Sequence, residues 1–132
     1  MKVVALDYGS ARTGVAVSDP TGTIARPLAV VERAASEAGL ARIAELVRAQ
    51  DAKRVVVGLP LTLTGQRGAQ AQETEAFVEA LRQAVEVPVE SYDERFTTSL
   101  AASTGSDEAP EDARAAAHLL SSYLEWSSAA RG

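Results

Sequence analysis

Three carboxylates are spaced so that they could do chemistry together. Asp7 ends the short apolar run at residues 3–6, Glu94 sits in Tyr92-Asp93-Glu94-Arg95 after the stretch at 87–91, and Asp112 opens the last helical segment. Carboxylates brought close repel, which raises their pKa values unless a cation lies among them. Hard divalent cations take oxygen ligands of this kind, and Mg²⁺ keeps waters and bridges to substrate phosphates. Two such ions about 4 Å apart activate a water and stabilise the leaving oxygen of an in-line phosphoryl displacement. Each acid also has a plainer reading. An Asp before Tyr-Gly is a turn former, a Glu in a polar loop is solvated, and an Asp in a first helical turn complements the dipole. Local residue types leave both readings open.

The elements that would position these acids follow from the hydrophobic pattern. Residues 3–6 read as a buried strand, 13–18 as a second strand with Val15 and Val17 on one face, and 23–31 as a third. Asp19-Pro20-Thr21-Gly22 is a turn, and Pro27, which has no N–H, requires the third strand to be bent or at an edge. Leu40, Ile43, Leu46 and Val47 recur at helical spacing over 36–50. The run RVVVGL at 54–59 is typical of a strand covered on both faces. A helix over 69–84 follows, with Phe77, Val78, Leu81 and Val85 along one side, then a short strand at 87–91 with Pro88 near its start. A short helix begins at 97–103. Pro110 belongs in the first turn of the last helix, whose body at 113–126 turns Ala116, Leu119, Leu120 and Tyr123 inward. The order β-β-β-α-β-α-β-α predicts an α/β fold, with a five-stranded mixed sheet that is an antiparallel meander followed by parallel strands. Strand ends are where a site forms in such a sheet, and one sheet edge would gather Asp7, Glu94 and Asp112.

Composition bounds the rest. The chain has 132 residues, 46% hydrophobic and 23% charged, which predicts one domain over 1–132 with ordinary globular character. With no Cys and a single His, thiolate zinc sites, Cys nucleophiles and a Ser-His-Asp triad are disfavoured. No stretch of 18 apolar residues occurs and the start carries an Asp at position 7, so a cytoplasmic protein is expected. The 18 acidic residues outnumber the 13 basic ones, giving a net charge of −5. That balance alone argues against a protein that coats nucleic acid. It says nothing, however, about how the charge is distributed.

Four segments bear a resemblance that joins these features: LDYGSARTGVAVSD (6–19), VVVGLPLTLTGQRG (55–68), YDERFTT (92–98) and DARAAAHLLSSYLE (112–125). In order and character they resemble the YqgF/RuvX family of the ribonuclease H-like superfamily, related in fold to the RuvC Holliday-junction resolvases. The resemblance implies a metal-dependent nuclease using two Mg²⁺ or Mn²⁺ ions and leaving 5′-phosphate and 3′-hydroxyl ends. Asp7 matches the family's first-strand Asp, Glu94 the Glu of its DER motif, and Asp112 the Asp that opens its D-xx-AA helix. All three are implied as metal ligands and catalytic residues. Beside them Arg12 and Arg95 are implied as phosphate-facing groups, since Arg offers bidentate contacts to phosphate oxygens. Arg67 in LTLTGQRG is a further candidate phosphate contact, or simply part of an ordinary connection ahead of a helix. Gly9, in the turn after Asp7, and Thr97 and Thr98, which would cap the following helix, support the site.

One departure stands out. In the family the stretch after DER-x-TT is usually longer and carries several Lys or Arg. Here residues 99–111 contain neither and include Asp107, Glu108 and Glu111. Metal would offset part of the acidity: two divalent ions change a three-carboxylate site from −3 to about +1.

Three functions compete. The family resemblance favours a nuclease that processes the 5′ end of pre-16S ribosomal RNA in ribosome biogenesis, with resolution of branched DNA as runner-up. Resolution requires two symmetry-related cuts and hence a homodimer, whereas processing is compatible with a monomer. A non-cleaving nucleic-acid-binding module is the alternative of another class. A phosphotransferase of the actin or sugar-kinase type shares the Asp-x-Gly turn but needs a second lobe that this length does not supply.

Overall fold

The N-terminal apolar run forms β1 (Val3–Asp7), and β2 (Arg12–Ser18) and β3 (Ala25–Glu32) complete an antiparallel meander. Helix α1 (Glu37–Ala49), strand β4 (Arg54–Leu59), helix α2 (Ala69–Ala84), strand β5 (Val89–Asp93) and helix α3 (Glu111–Ala130) follow in turn. The structure, a computed structural model, describes residues 1–60, 68–93 and 110–130. The strands lie in the order β3-β2-β1-β4-β5, with β1 antiparallel to β2 and parallel to β4, and β4 parallel to β5. This is the mixed sheet expected from the sequence, with Asp7 at the C-terminal end of its central strand.

Local chemistry sets the element ends. Ser36 caps α1 by accepting the Gly39 N–H on its hydroxyl at 3.0 Å. The third strand is at an edge, and its register skips Leu28: Val15 pairs with Ala29 and Ala16 with Pro27. The irregularity falls at the residue that cannot donate to a ladder. Two boundaries differ from expectation for the same kind of reason. Strand β5 starts at Val89 rather than 87, because Pro88 brings no N–H and joins the sheet only through its carbonyl, which accepts from Val55 N–H at 2.9 Å. The strand then continues past 91 to Asp93. Pro110 stands just before α3 rather than in its first turn, its carbonyl accepting the Arg114 N–H at 3.0 Å. The helix expected at 97–103 lies outside the described residues.

The sheet is covered on both faces, which is why β1 and β4 read as unbroken apolar runs. On one face Val4, Leu6, Val15, Val17, Val55 and Val57 pack with Ile43 and Val47 of α1 and with Phe77 and Leu81 of α2. On the other, Val3, Ala5, Ala16, Val56 and Tyr92 pack with Ala116, Leu119, Leu120 and Tyr123 of α3. Ala5 and Ala16 are register partners, so the sheet offers α3 a shallow surface where small side chains permit close approach. Among the described residues no helix is long and apolar enough to cross a membrane.

Candidate nuclease site

The alternation of side chains fixes the face on which Asp7 sits. Val3 and Ala5 face α3, and a period of two carries Asp7 to the same side. Its register partner on β2 is Gly14. Gly14 is buried, and a Cβ built on it would lie 1.8 Å from the Asp112 carbonyl oxygen and 3.0 Å from the Ala113 nitrogen. The first turn of α3 therefore rests on the bare backbone of Gly14, beside the residue paired with Asp7. Asp7 and Asp112, 105 positions apart in the chain, thus share Gly14 as a backbone neighbour, and its missing side chain is what admits the helix. Gly14 is not among the residues that the sequence alone points to at the site. A glycine inside a strand pattern is nonetheless a recognised sign of close backbone approach.

Arg12, two residues before Gly14, points back to the same helix turn. Its Nε donates to Asp112 Oδ2 at 3.1 Å, with the arginine side chain 67% exposed and the aspartate 40%. The turn leading to it is held from within. Thr13 Oγ1 donates to the Gly9 carbonyl and accepts the Gly9 N–H, both at 3.3 Å. A Cβ on Gly9 would meet the Arg12 carbonyl oxygen at 2.5 Å, so this tight turn excludes any larger residue. Ala11 is tied to the far side, its carbonyl accepting the Arg33 N–H at 3.0 Å.

A second set of contacts anchors the turn to α2. Tyr8 OH and Ser10 Oγ both donate to Glu73 Oε2, at 2.8 and 2.6 Å. The Tyr8 ring stacks on Phe77 with centroids 4.5 Å apart. Burial, with the neighbouring carboxylate adding to it, pushes the Tyr8 hydroxyl up to about 12, so it remains a donor at physiological pH. The two hydrogen bonds, that from Ser10 the larger influence, hold the Glu73 carboxyl below its ordinary value. Nothing local in the sequence distinguishes Glu73 from the other acids on α2, and its partners are more than sixty residues away.

The remaining candidates divide by position. Glu94, Arg95, Thr97, Thr98 and Arg67 lie outside the described residues. The strand that leads to Glu94 is fixed to α3 by Tyr92, whose hydroxyl is 3.0 Å from Ser122 Oγ and whose ring meets that of Tyr123 edge-on at 5.6 Å. Trp126 completes this aromatic group at the far part of α3, half exposed rather than packed into the core. His118 is half-buried on α3.

The residue types suit a hard divalent cation: Asp7 and Asp112, both oxygen donors, have Gly14 as a common backbone neighbour, and the Asp112 carboxylate is ion-paired with Arg12. Among the described residues no three His, Cys, Asp or Glu side chains gather, the third expected ligand being Glu94. The pair of aspartates has the right chemistry for metal, and the remainder of the set falls outside the description.

Comparison with known proteins agrees with this architecture. A family model described as "RuvX: Holliday junction resolvase" matches residues 1–126. A Chloroflexus aurantiacus protein is 39% identical over 131 residues, covering 93% of this chain and 86% of the relative. An Anaeromyxobacter protein is 42% identical over 133 residues, covering 95% and 97%. Both relatives bear the name "Putative pre-16S rRNA nuclease". Among solved structures, Thermus thermophilus RuvC bound to a Holliday junction substrate aligns with a TM-score of 0.69 at 17% identity, covering 98% of this chain and 96% of that one. A second Thermus thermophilus RuvC structure aligns with a TM-score of 0.65 at 20% identity, covering 98% of this chain and 97% of that one. At these identities the likeness establishes a shared ribonuclease H-like fold.

Proposed function

The chain belongs to the RuvX family, and from that premise we propose that it is a divalent-metal-dependent nuclease acting on structured nucleic acid. The observation that supports the reading is that Gly14, the strand partner of Asp7 at the C-terminal end of the central strand, lies against the backbone of Asp112. Asp7, Asp112 and Glu94 would hold two Mg²⁺ or Mn²⁺ ions. Such ions, when bound, activate water for in-line attack and stabilise the departing oxygen. The protein's own part is positioning. The Gly9–Thr13 turn and the Glu73 anchor keep the backbone after Asp7 fixed, while α3 carries Asp112 as a rigid unit. Arg12, with Arg95 and Arg67, would face substrate phosphate. Cleavage would leave 5′-phosphate and 3′-hydroxyl ends.

The 5′ end of pre-16S ribosomal RNA is the proposed substrate, supported by the names of relatives about 40% identical along most of the chain. The family description favours a second substrate, a four-way DNA junction. Cleavage of both substrates in parallel with Mg²⁺ or Mn²⁺ decides between them. Asp7→Asn should abolish metal-dependent cleavage of whichever is cut. Unchanged cleavage by that variant would refute the site, and cleavage of neither substrate by wild type would favour a non-cleaving binding module. Because the chain carries a net charge of −5, binding of nucleic acid should be weak when divalent metal is removed.

A further inference from the structure

We propose that Arg12 is a resident counter-cation of Asp112, displaced by divalent metal and thereby delivered to substrate phosphate. The inference rests on the metal-site reading above and goes beyond it by coupling metal occupancy to the availability of a phosphate-binding group.

Three features support it. Only one guanidinium N–H, on Nε, is engaged by Asp112 in this structure, at 3.1 Å. With 67% of the Arg12 side chain exposed, the pair sits in screened surroundings where such contacts are weak and readily exchanged. A dication held by Asp7 and Asp112 would act on the Asp112 carboxylate with twice the charge of a guanidinium, which favours the exchange. The backbone beneath Arg12 does not have to move for this exchange. Residue 12 is paired with Glu32 on β3, and its neighbours Ala11 and Thr13 are tied to Arg33 and Gly9. Only the side chain swings, away from a carboxylate whose charge is now neutralised. Its full fork of N–H groups then faces outward, a geometry suited to bidentate contact with phosphate oxygens. The contact with Asp112 and the contact with phosphate are thus alternatives for one side chain.

The test uses the full chain, Mg²⁺ and no nucleic acid. Calorimetric titration should show Arg12→Gln binding Mg²⁺ about threefold more tightly than wild type, in keeping with the modest strength of an exposed ion pair. Arg26→Gln, which removes the same charge from the exposed edge strand, should leave the affinity unchanged. In wild type, the Arg12 Nε–Hε resonance, assigned by its absence from Arg12→Lys, should shift along the same saturation curve as Mg²⁺ binding. An Nε resonance unmoved at saturation, or an Arg12→Gln affinity equal to or weaker than wild type, would overturn the exchange and leave Asp112 as a permanent orienting partner. Asp7→Asn and Asp112→Asn separate this failure from that of the site itself. If both bind Mg²⁺ as wild type does, the metal site is misassigned. If both lose it while Arg12→Gln gains nothing, only the exchange is wrong.

Discussion

Gly14 and Asp112 touch backbone to backbone: a Cβ on the glycine would stand 1.8 Å from the aspartate's carbonyl oxygen. No rotamer change relieves an overlap with main chain, so any side chain at this position must move the start of α3. Gly14→Ala is expected to destabilise the fold by about 1–3 kcal/mol, the usual range for overpacking, and by more if α3 cannot shift. Urea denaturation measures that loss. Mg²⁺ affinity should fall in the molecules that remain folded, since the displaced turn carries Asp112 away from Asp7. An alanine variant with wild-type stability and metal affinity would show that the close approach is not required.

The Glu73 anchor predicts the opposite balance of effects. Its carboxylate is exposed, yet it receives the hydroxyls of both Tyr8 and Ser10. Glu73→Ala should leave the melting temperature nearly unchanged while kcat falls on the order of ten- to a hundredfold, because misplacing a metal-site backbone by about 1 Å carries costs of that size. Tyr8→Phe, which keeps the stack on Phe77 and loses one hydroxyl, should show a smaller fall in the same direction. Equal losses of stability and activity would make the anchor merely structural.

What the sequence discloses follows the range of the interactions involved. Strand β4 at Arg54–Leu59 and helix α2 at Ala69–Ala84 have the bounds expected from pattern alone, because apolar runs and helical spacing are local signals. The place of Asp7 at a central strand end and of Asp112 in a first helical turn is legible for the same reason. The contacts that turn these placements into a site are not. Arg12 reaches Asp112 across 100 positions, and Tyr8 reaches Glu73 across 65. No periodicity encodes which acid on α2 receives a hydroxyl from the turn after β1. Gly14 lies between these cases: its residue type signals a close approach, but only the packed helix identifies what approaches.

The turn between β2 and β3 supplies a pH-dependent test away from the site. Asp19 accepts the N–H groups of Thr23 and Ile24 at 2.7 and 2.8 Å and the Thr21 hydroxyl. These bonds, Ile24 foremost, hold its carboxyl far below the ordinary value of 3.8. A carboxyl with a folded pKa below its unfolded one stabilises the fold fully above the unfolded value and loses that contribution as pH falls through the folded one. Wild type should therefore melt above Asp19→Asn at neutral pH. The gap should hold down to about pH 5 and shrink progressively below pH 4. A gap constant from pH 7 to pH 2 would mean that ionisation of Asp19 plays no part.

The two faces of the sheet separate stability from site geometry. Ile43 of α1 and Leu120 of α3 are both fully buried, one in each core cluster. Truncating either to Ala removes comparable apolar bulk and is expected to destabilise by about 2–5 kcal/mol, depending on how far each cavity collapses. Their functional effects should differ. Leu120 secures the helix that carries Asp112, whereas Ile43 secures a helix on the opposite face. At a temperature where both variants are fully folded, Leu120→Ala should weaken Mg²⁺ binding and slow cleavage, because a loosened α3 no longer rests firmly on Gly14. Ile43→Ala, matched for stability loss, should retain metal affinity within about twofold, the small coupling expected of sites that share no partners. Equal loss of metal binding in the two variants would mean that the seating of α3 has no special role in assembling the site.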